Sequence, residues 1–180
     1  MTRVVSASLA AVCTLLIAAA AAAQESKSGP LAKQLTAALD AAKLDSIAAP
    51  DPDKAGTFVA ALYFPNSQLL VVSAEYTAPQ LLAERLRKKE FRDVYIDLNS
   101  ASVPASKIFI EDLAGDGLKP KREENQPFDT YEIAGKRTAF DGDWKKLKQS
   151  EQDYMKLFFA ADERYAQILA ALLAQVKKTS

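Results

Sequence analysis

Two stretches put carboxylates beside glycines: Asp112-Leu113-Ala114-Gly115-Asp116-Gly117 and Asp141-Gly142-Asp143. Acidic oxygens on glycine turns are what a hard cation needs, so calcium is the first chemistry to weigh. Neither stretch offers oxygen ligands at alternate positions with a glutamate at the twelfth, as an EF-hand loop does. Both read instead as polar turns that use Asp and Gly for their backbone tolerance. Gly115-x-Gly117 lacks a third glycine and opens no helix, which removes a dinucleotide fingerprint. Glu111, Asp112 and Asp116 could serve a carboxylate-based hydrolase, yet adjacent strand positions point to opposite faces, which argues against Glu111 and Asp112 acting as a pair.

Arg85, Arg87, Lys88, Lys89 and Arg92 form a basic cluster. Its two readings are a phosphate or carboxylate contact and a solvated helix end with favourable charge. Tyr63, Tyr76, Tyr95, Tyr131, Tyr154, Tyr165 and Trp144 stand at sheet and helix spacing and read as core rather than as a pocket lining.

The chain has no histidine, and its one cysteine, Cys13, falls in a segment with the form of a secretory signal peptide. Arg3 gives a positive start, Val4 to Ala20 is uncharged, and Ala21-Ala22-Ala23 before Gln24 offers small residues for cleavage after Ala23. The competing readings are an uncleaved anchor and a lipoprotein acylated at Cys13; alanine is a weak hydrophobe, and Val12 is too bulky for a lipobox. Export to the periplasm or beyond is therefore the expectation, with no membrane association after cleavage. The mature chain would hold no disulfide, thiolate nucleophile, Cys/His zinc site, iron–sulfur cluster or Ser-His-Asp triad. What survives is carboxylate, lysine or tyrosine chemistry, an oxygen-bound cation, or an organic cofactor. Removing residues 1–23 takes Arg3 from 23 basic residues and nothing from 23 acidic ones, leaving a net charge of −1. Nothing there suits nucleic acid as a partner.

The elements that must position these residues follow from periodicity. Residues 24–29 read as a flexible tail and 30–180 as a single α+β domain. Leu31, Leu35, Leu39 and Ile47 mark a helix over 30–47, with Pro30 in its first turn. Thr57 to Phe64 and Gln68 to Glu75 are apolar on both faces around Pro65-Asn66-Ser67, a hairpin of interior strands. Thr77-Ala78-Pro79-Gln80 has capping-box spacing for a helix to about Glu90, with Leu81, Leu82 and Leu86 as its buried face. Asp93 to Leu98 alternates as a half-buried strand, and Ser106 to Leu113 reads as its partner. Thr130 to Ile133 and Lys136 to Phe140 flank a turn at Ala134-Gly135. Apolar residues from Trp144 to Val176 recur at three- and four-residue steps, as one helix or two broken near 159–162, with Asp143 as N-cap. About six strands result, with helices at both ends.

The local text LLVVSAEYTAPQLLAERLRKKEFRDVYIDL, within the order hairpin, short capped helix, strand, strand, resembles the flavin-binding split-barrel proteins, the pyridoxamine-phosphate-oxidase-like family. The resemblance implies an antiparallel split-barrel-like sheet and flavin mononucleotide (FMN) at a dimer interface, its phosphate held by a strand-end hydroxyl and a basic residue. Here those positions would be Ser73, with Thr77 as a second hydroxyl, and Arg85 and Arg87. The expected function is thus binding of a small molecule or flavin, with the hydride chemistry belonging to the cofactor. The alternative is an interaction or homodimerisation module acting through its C-terminal helices.

Overall fold

A computed structural model describes residues 26–65, 68–75, 78–87, 108–122, 124, 127–133 and 135–179, those at 85 and 86 without their side chains. Helix α1 (Ser28–Ala42) opens the fold, earlier than Pro30. Where the sequence suggests a flexible tail through Gly29, Ser28 and Gly29 are buried. The cause lies far along the chain: the Asp162 carboxylate accepts the Ser26 hydroxyl (2.8 Å) and the backbone N–H groups of Lys27 (2.7 Å) and Ser28 (3.1 Å). Helix N-termini present unsatisfied donors and favour a negative charge, and here a carboxylate from another element supplies it.

α1 ends five residues before Ile47. Lys43 turns into the left-handed region (φ 54°), and its N–H and that of Leu44 return to the carbonyls of Asp40 and Leu39. Ile47 then lies in strand β1 (Ser46–Pro50), which pairs antiparallel with β2 (Thr57–Phe64). The apolar spacing that reads as a longer helix is satisfied by a strand because Ile47 and Ala49 face one core while Ala48 faces another.

β2 and β3 (Gln68–Glu75) form the expected hairpin, Phe64 opposite Gln68. They are apolar on both faces because both faces are covered. Val59, Ala61, Leu69 and Val71 join the core beneath the long helices; Ala60, Leu62, Leu70 and Val72 join a smaller cluster with Leu82 of α2 (Pro79–Arg87). Leu81, expected to be buried, is 47% exposed. A helix this short presents one narrow face to the sheet, and Leu82 takes it.

β4 (Ile108–Asp112) pairs with β3 and with β5 (Thr130–Ile133), and β5 pairs with β6 (Lys136–Ala139). The expected strand Asp93–Leu98 lies outside the described residues. Among the described residues the result is a six-stranded antiparallel sheet in the order β1-β2-β3-β4-β5-β6, open rather than closed. The last helix, α3 (Glu151–Thr179), is unbroken across residues 159–162. It starts after Trp144 because residues 143–148 make successive i+3 turns that end at Lys148 (φ 53°). Ser150, rather than Asp143, caps it by accepting the Asp153 N–H at 3.1 Å. Its apolar stripe, including Tyr154, Phe158, Tyr165, Ile168 and Leu172, packs into one core with α1 and the sheet. Among the described residues no helix is long and apolar enough to cross a membrane.

The loop after β4 lies directly on the start of α1. At Gly117 (φ 93°) an added Cβ would stand 2.4 Å from Gly29 Cα, and the next N–H, of Leu118, donates to Ser28 Oγ at 2.9 Å. At Gly135 (φ 76°) nothing lies within 4 Å. Gly135→Ala therefore meets backbone strain alone, about 1–2 kcal/mol, while Gly117→Ala adds a backbone collision and should lose more than about 3 kcal/mol. Urea unfolding of the two variants measures the difference, and equal losses would refute the contact.

Candidate functional site

Ser73 sits near the end of β3 with its hydroxyl already committed. It donates to Asp51 Oδ2 (2.6 Å), and Arg164 Nη2 from α3 reaches both Asp51 oxygens at 2.6 and 2.7 Å. The Asp53 N–H donates to Asp51 Oδ1 as well (2.9 Å). The side chains of Asp51 and Arg164 are 1% and 14% exposed. Burial works to raise the Asp51 carboxyl, but the bonds from Arg164, Ser73 and the Asp53 amide, with the guanidinium charge, hold it below its ordinary value. Arg164 Nη1 and Thr57 Oγ1 are buried without partners in this region; the Thr57 carbonyl accepts the Asp51 N–H. Arg87 is exposed at the end of α2, while Thr77, the side chain of Arg85, and Lys88, Lys89 and Arg92 lie outside the described residues. Of the four residues expected to hold a phosphate, the described side chains are those of Ser73 and Arg87.

Of the three carboxylates weighed for catalysis, Glu111 and Asp112 point to opposite faces as strand geometry requires, while Asp116 lies in the loop after β4. Glu111 accepts from Thr130 and Arg137 on the side of the smaller core, whereas Asp112 accepts the Tyr165 hydroxyl (3.1 Å) beneath α3. Asp112 also takes the N–H groups of Asp116 (3.1 Å) and Gly117 (2.8 Å). Asp129, one residue before β5, takes those of Leu113 (3.0 Å) and Lys119 (2.9 Å). Two buried carboxylates thus grip one loop, 113–119, from two sides. Among the described residues, no three Asp, Glu, His or Cys side chains assemble into a metal-holding group.

Burial, then the Asp112 charge, push the Asp129 carboxyl up to about 7 against the opposing bonds from the Leu113 and Lys119 amides. Burial likewise raises Asp112, and it raises Tyr165 and Tyr131, for which the nearby Arg164 charge works the other way. Beside Asp129 a crevice of about 30 Å³, lined by Lys119, Lys121 and Arg122, has room for about one or two waters.

A second opening lies at the other end of β3 from Ser73. A cleft of about 410 Å³ runs between α1, the turn end of the β2–β3 hairpin and the loop after β4. Lys33, Thr36, Ala37 and Asp40 line it at positions i, i+3, i+4 and i+7, one stripe of α1 opposite the buried Leu35 and Leu39. Tyr63 and Gln68 come from the hairpin, and Ala114, Gly115 and Asp116 from the loop. The Tyr63 hydroxyl donates to Asp40 Oδ2 (2.9 Å), and Lys119 pairs with Asp116 at 2.9 Å. Gly115 (φ 63°) lets the loop lie close to α1, where an added Cβ would stand 3.1 Å from Thr36 Cγ2. Gln68 is 8% exposed; alternation puts its side chain on the face of β3 shared with Leu70 and Val72, away from α1, where its Nε2 is buried without a partner. Sequence reasoning passed over this stripe because polar residues opposite a leucine face are the ordinary pattern of a surface helix.

Removing Arg164 would strand a buried carboxylate, so Arg164→Met should cost about 3–5 kcal/mol in urea unfolding. A loss below about 1 kcal/mol would mean that the pair contributes little. For Asp129, a carboxyl raised from 3.8 to about 7 keeps its proton in the folded chain where the unfolded chain has released it. Its contribution is greatest below about pH 4 and declines as pH rises to about 7. Asp129→Asn removes that term, so between about pH 5 and pH 7 the melting temperature of the native protein should decline with pH more than that of the variant. Parallel profiles would contradict the assignment.

No family model, curated protein or solved structure matches this chain.

Proposed function

We propose that the chain is an exported binding protein for a small molecule, without catalytic residues of its own, and that its ligand occupies the cleft between α1, the β2–β3 hairpin and loop 113–119. The observation that carries this reading is the cleft: its volume of about 410 Å³ lies within the range of small-ligand sites, roughly 300–1,000 Å³. Polar groups from three separate elements converge on it, and the clamped loop gives it a rigid wall.

A flavin-binding split barrel is the finer form of the same idea. It puts the FMN phosphate at the corner of β3 and α2, near Ser73, Thr77, Arg85 and Arg87. The Ser73 hydroxyl donates to Asp51, and a phosphate seated there would meet that carboxylate. This favours the cleft as the binding position.

Amide chemical-shift mapping of a diverse fragment set, with FMN included, tests the proposal. The expected outcome is a cluster of shifted amides at 33–40, 68 and 114–116. Ala37→Trp, which fills an exposed part of the cleft wall, should weaken those hits by about tenfold or more without lowering the melting temperature. Hits confined to the β3–α2 corner, with FMN fluorescence quenched there, would replace the cleft by the flavin site. An absence of hits at either position would overturn both.

A further inference from the structure

Two aspartates stand opposite each other where β4 ends and β5 begins. The β4–β5 register sets Glu111 against Thr130, so the next pair is Asp112 and Asp129, on the face that packs against the long helices. Like charges directly opposite across antiparallel strands repel each other. Burial removes the water that would screen them: Asp112 is fully buried and Asp129 is 7% exposed. Among the described residues no ion pair reaches either carboxylate.

The surrounding groups leave that repulsion in place. In the loop, Asp116 adds a third acid, offset by its pair with Lys119. From α3 the Tyr165 hydroxyl donates to Asp112. Lys119, Lys121 and Arg122 line the crevice beside Asp129, the last two exposed to solvent. A proton on Asp129 relieves the repulsion, and burial together with the Asp112 charge holds it there up to about pH 7.

What the pair grips is one loop. Asp129 takes the amides of Leu113 and Lys119, and Asp112 those of Asp116 and Gly117. Leu118 is fully buried in the core and anchors the far end of the loop, so freedom gained on release falls to residues 113–117. Ala114, Gly115 and Asp116 of that stretch are the cleft wall. Once ionised, Asp129 gains hydration by turning to the crevice, at the expense of its two amide bonds.

We propose that loop 113–119 is a pH-sensitive wall of the cleft: protonated Asp129 holds it closed, and ionisation of Asp129 opposite Asp112 loosens it. Any effect on ligand binding rests on the cleft being the ligand site; the loosening of the loop does not, and it is tested without ligand. The open loop releases the Asp129 proton at an ordinary carboxylate value, about 4, and the closed loop at about 7. Closure is therefore strongest below about pH 4, weakens as pH rises to about 7, and is level above that.

Amide hydrogen exchange of the native protein, corrected for the ordinary rise of exchange with pH, reads the opening. The amides of Leu113, Asp116, Gly117 and Lys119 should exchange ahead of those of β2 and β3. Between about pH 5 and pH 7 they should lose protection by about tenfold or more. Asp129→Asn cannot ionise, and its loop amides should keep level protection over that range. Loop amides that match β2 and β3 at every pH open only with the whole fold, and that overturns the proposal. So does protection that ignores pH in the native protein or falls equally in the variant. If the variant does not fold, the Asp129 carboxyl carbon shift of the native protein decides. It should move together with the loss of protection, and a titration complete below about pH 5 overturns the proposal.

Discussion

Asp112 ends β4 on the helix side of the sheet, and its carboxylate accepts the amides of Asp116 and Gly117 together with the Tyr165 hydroxyl. Those three bonds join a strand, a loop and the long helix at one fully buried point. A carboxylate so placed loses its hydration, and the loss is offset only if every oxygen finds a donor. The loop must therefore fold back on Asp112. Folded back, it lays Gly117 on Gly29 and gives the Leu118 amide to Ser28. From the same constraint comes the wall of the cleft, because Ala114, Gly115 and Asp116 belong to that loop.

Asp162, Asp129 and Asp51 repeat the device. Each is a buried aspartate that takes donors from segments apolar packing alone does not direct: the start of α1, the second side of loop 113–119, and the knot of Ser73 with Arg164. Apolar contacts carry most of the driving force, as the shared core of α1, α3 and the sheet shows. They are non-directional, however, and tolerate sliding. Charge-assisted bonds at defined atoms supply position in their place.

How far the chain could be read in advance depended on the range of the forces involved. The β2–β3 hairpin was legible because TFVAALYF and QLLVVSAE are apolar throughout and bracket a turn, and both ends fell where expected. The β5–β6 hairpin at Gly135 and the stripe of α3 were legible for the same local reason. Ile47 misled because a residue eight beyond Leu39 fits a helical stripe and an alternating strand alike, and only the β2 partner decides between them. Leu81 misled because three leucines in one short helix do not all fit one face. Ser73 was expected, by resemblance alone, to hold a flavin phosphate; what its hydroxyl meets in the structure is a carboxylate twenty-two positions earlier.

By itself the sequence determined the α+β class, the alternation that makes interior strands, the absence of imidazole, and the near balance of acids and bases. All of these follow from residue type or from spacing within a few positions, where backbone geometry alone sets which side chains are neighbours. Tertiary structure decided which polar groups meet. Arg164 reaches Asp51 across 113 positions, Ser26 reaches Asp162 across 136, and three elements bring Lys33, Tyr63 and Asp116 to one cleft. Such meetings depend on how the sheet and helices stack once their apolar faces are buried, and local spacing carries no record of that.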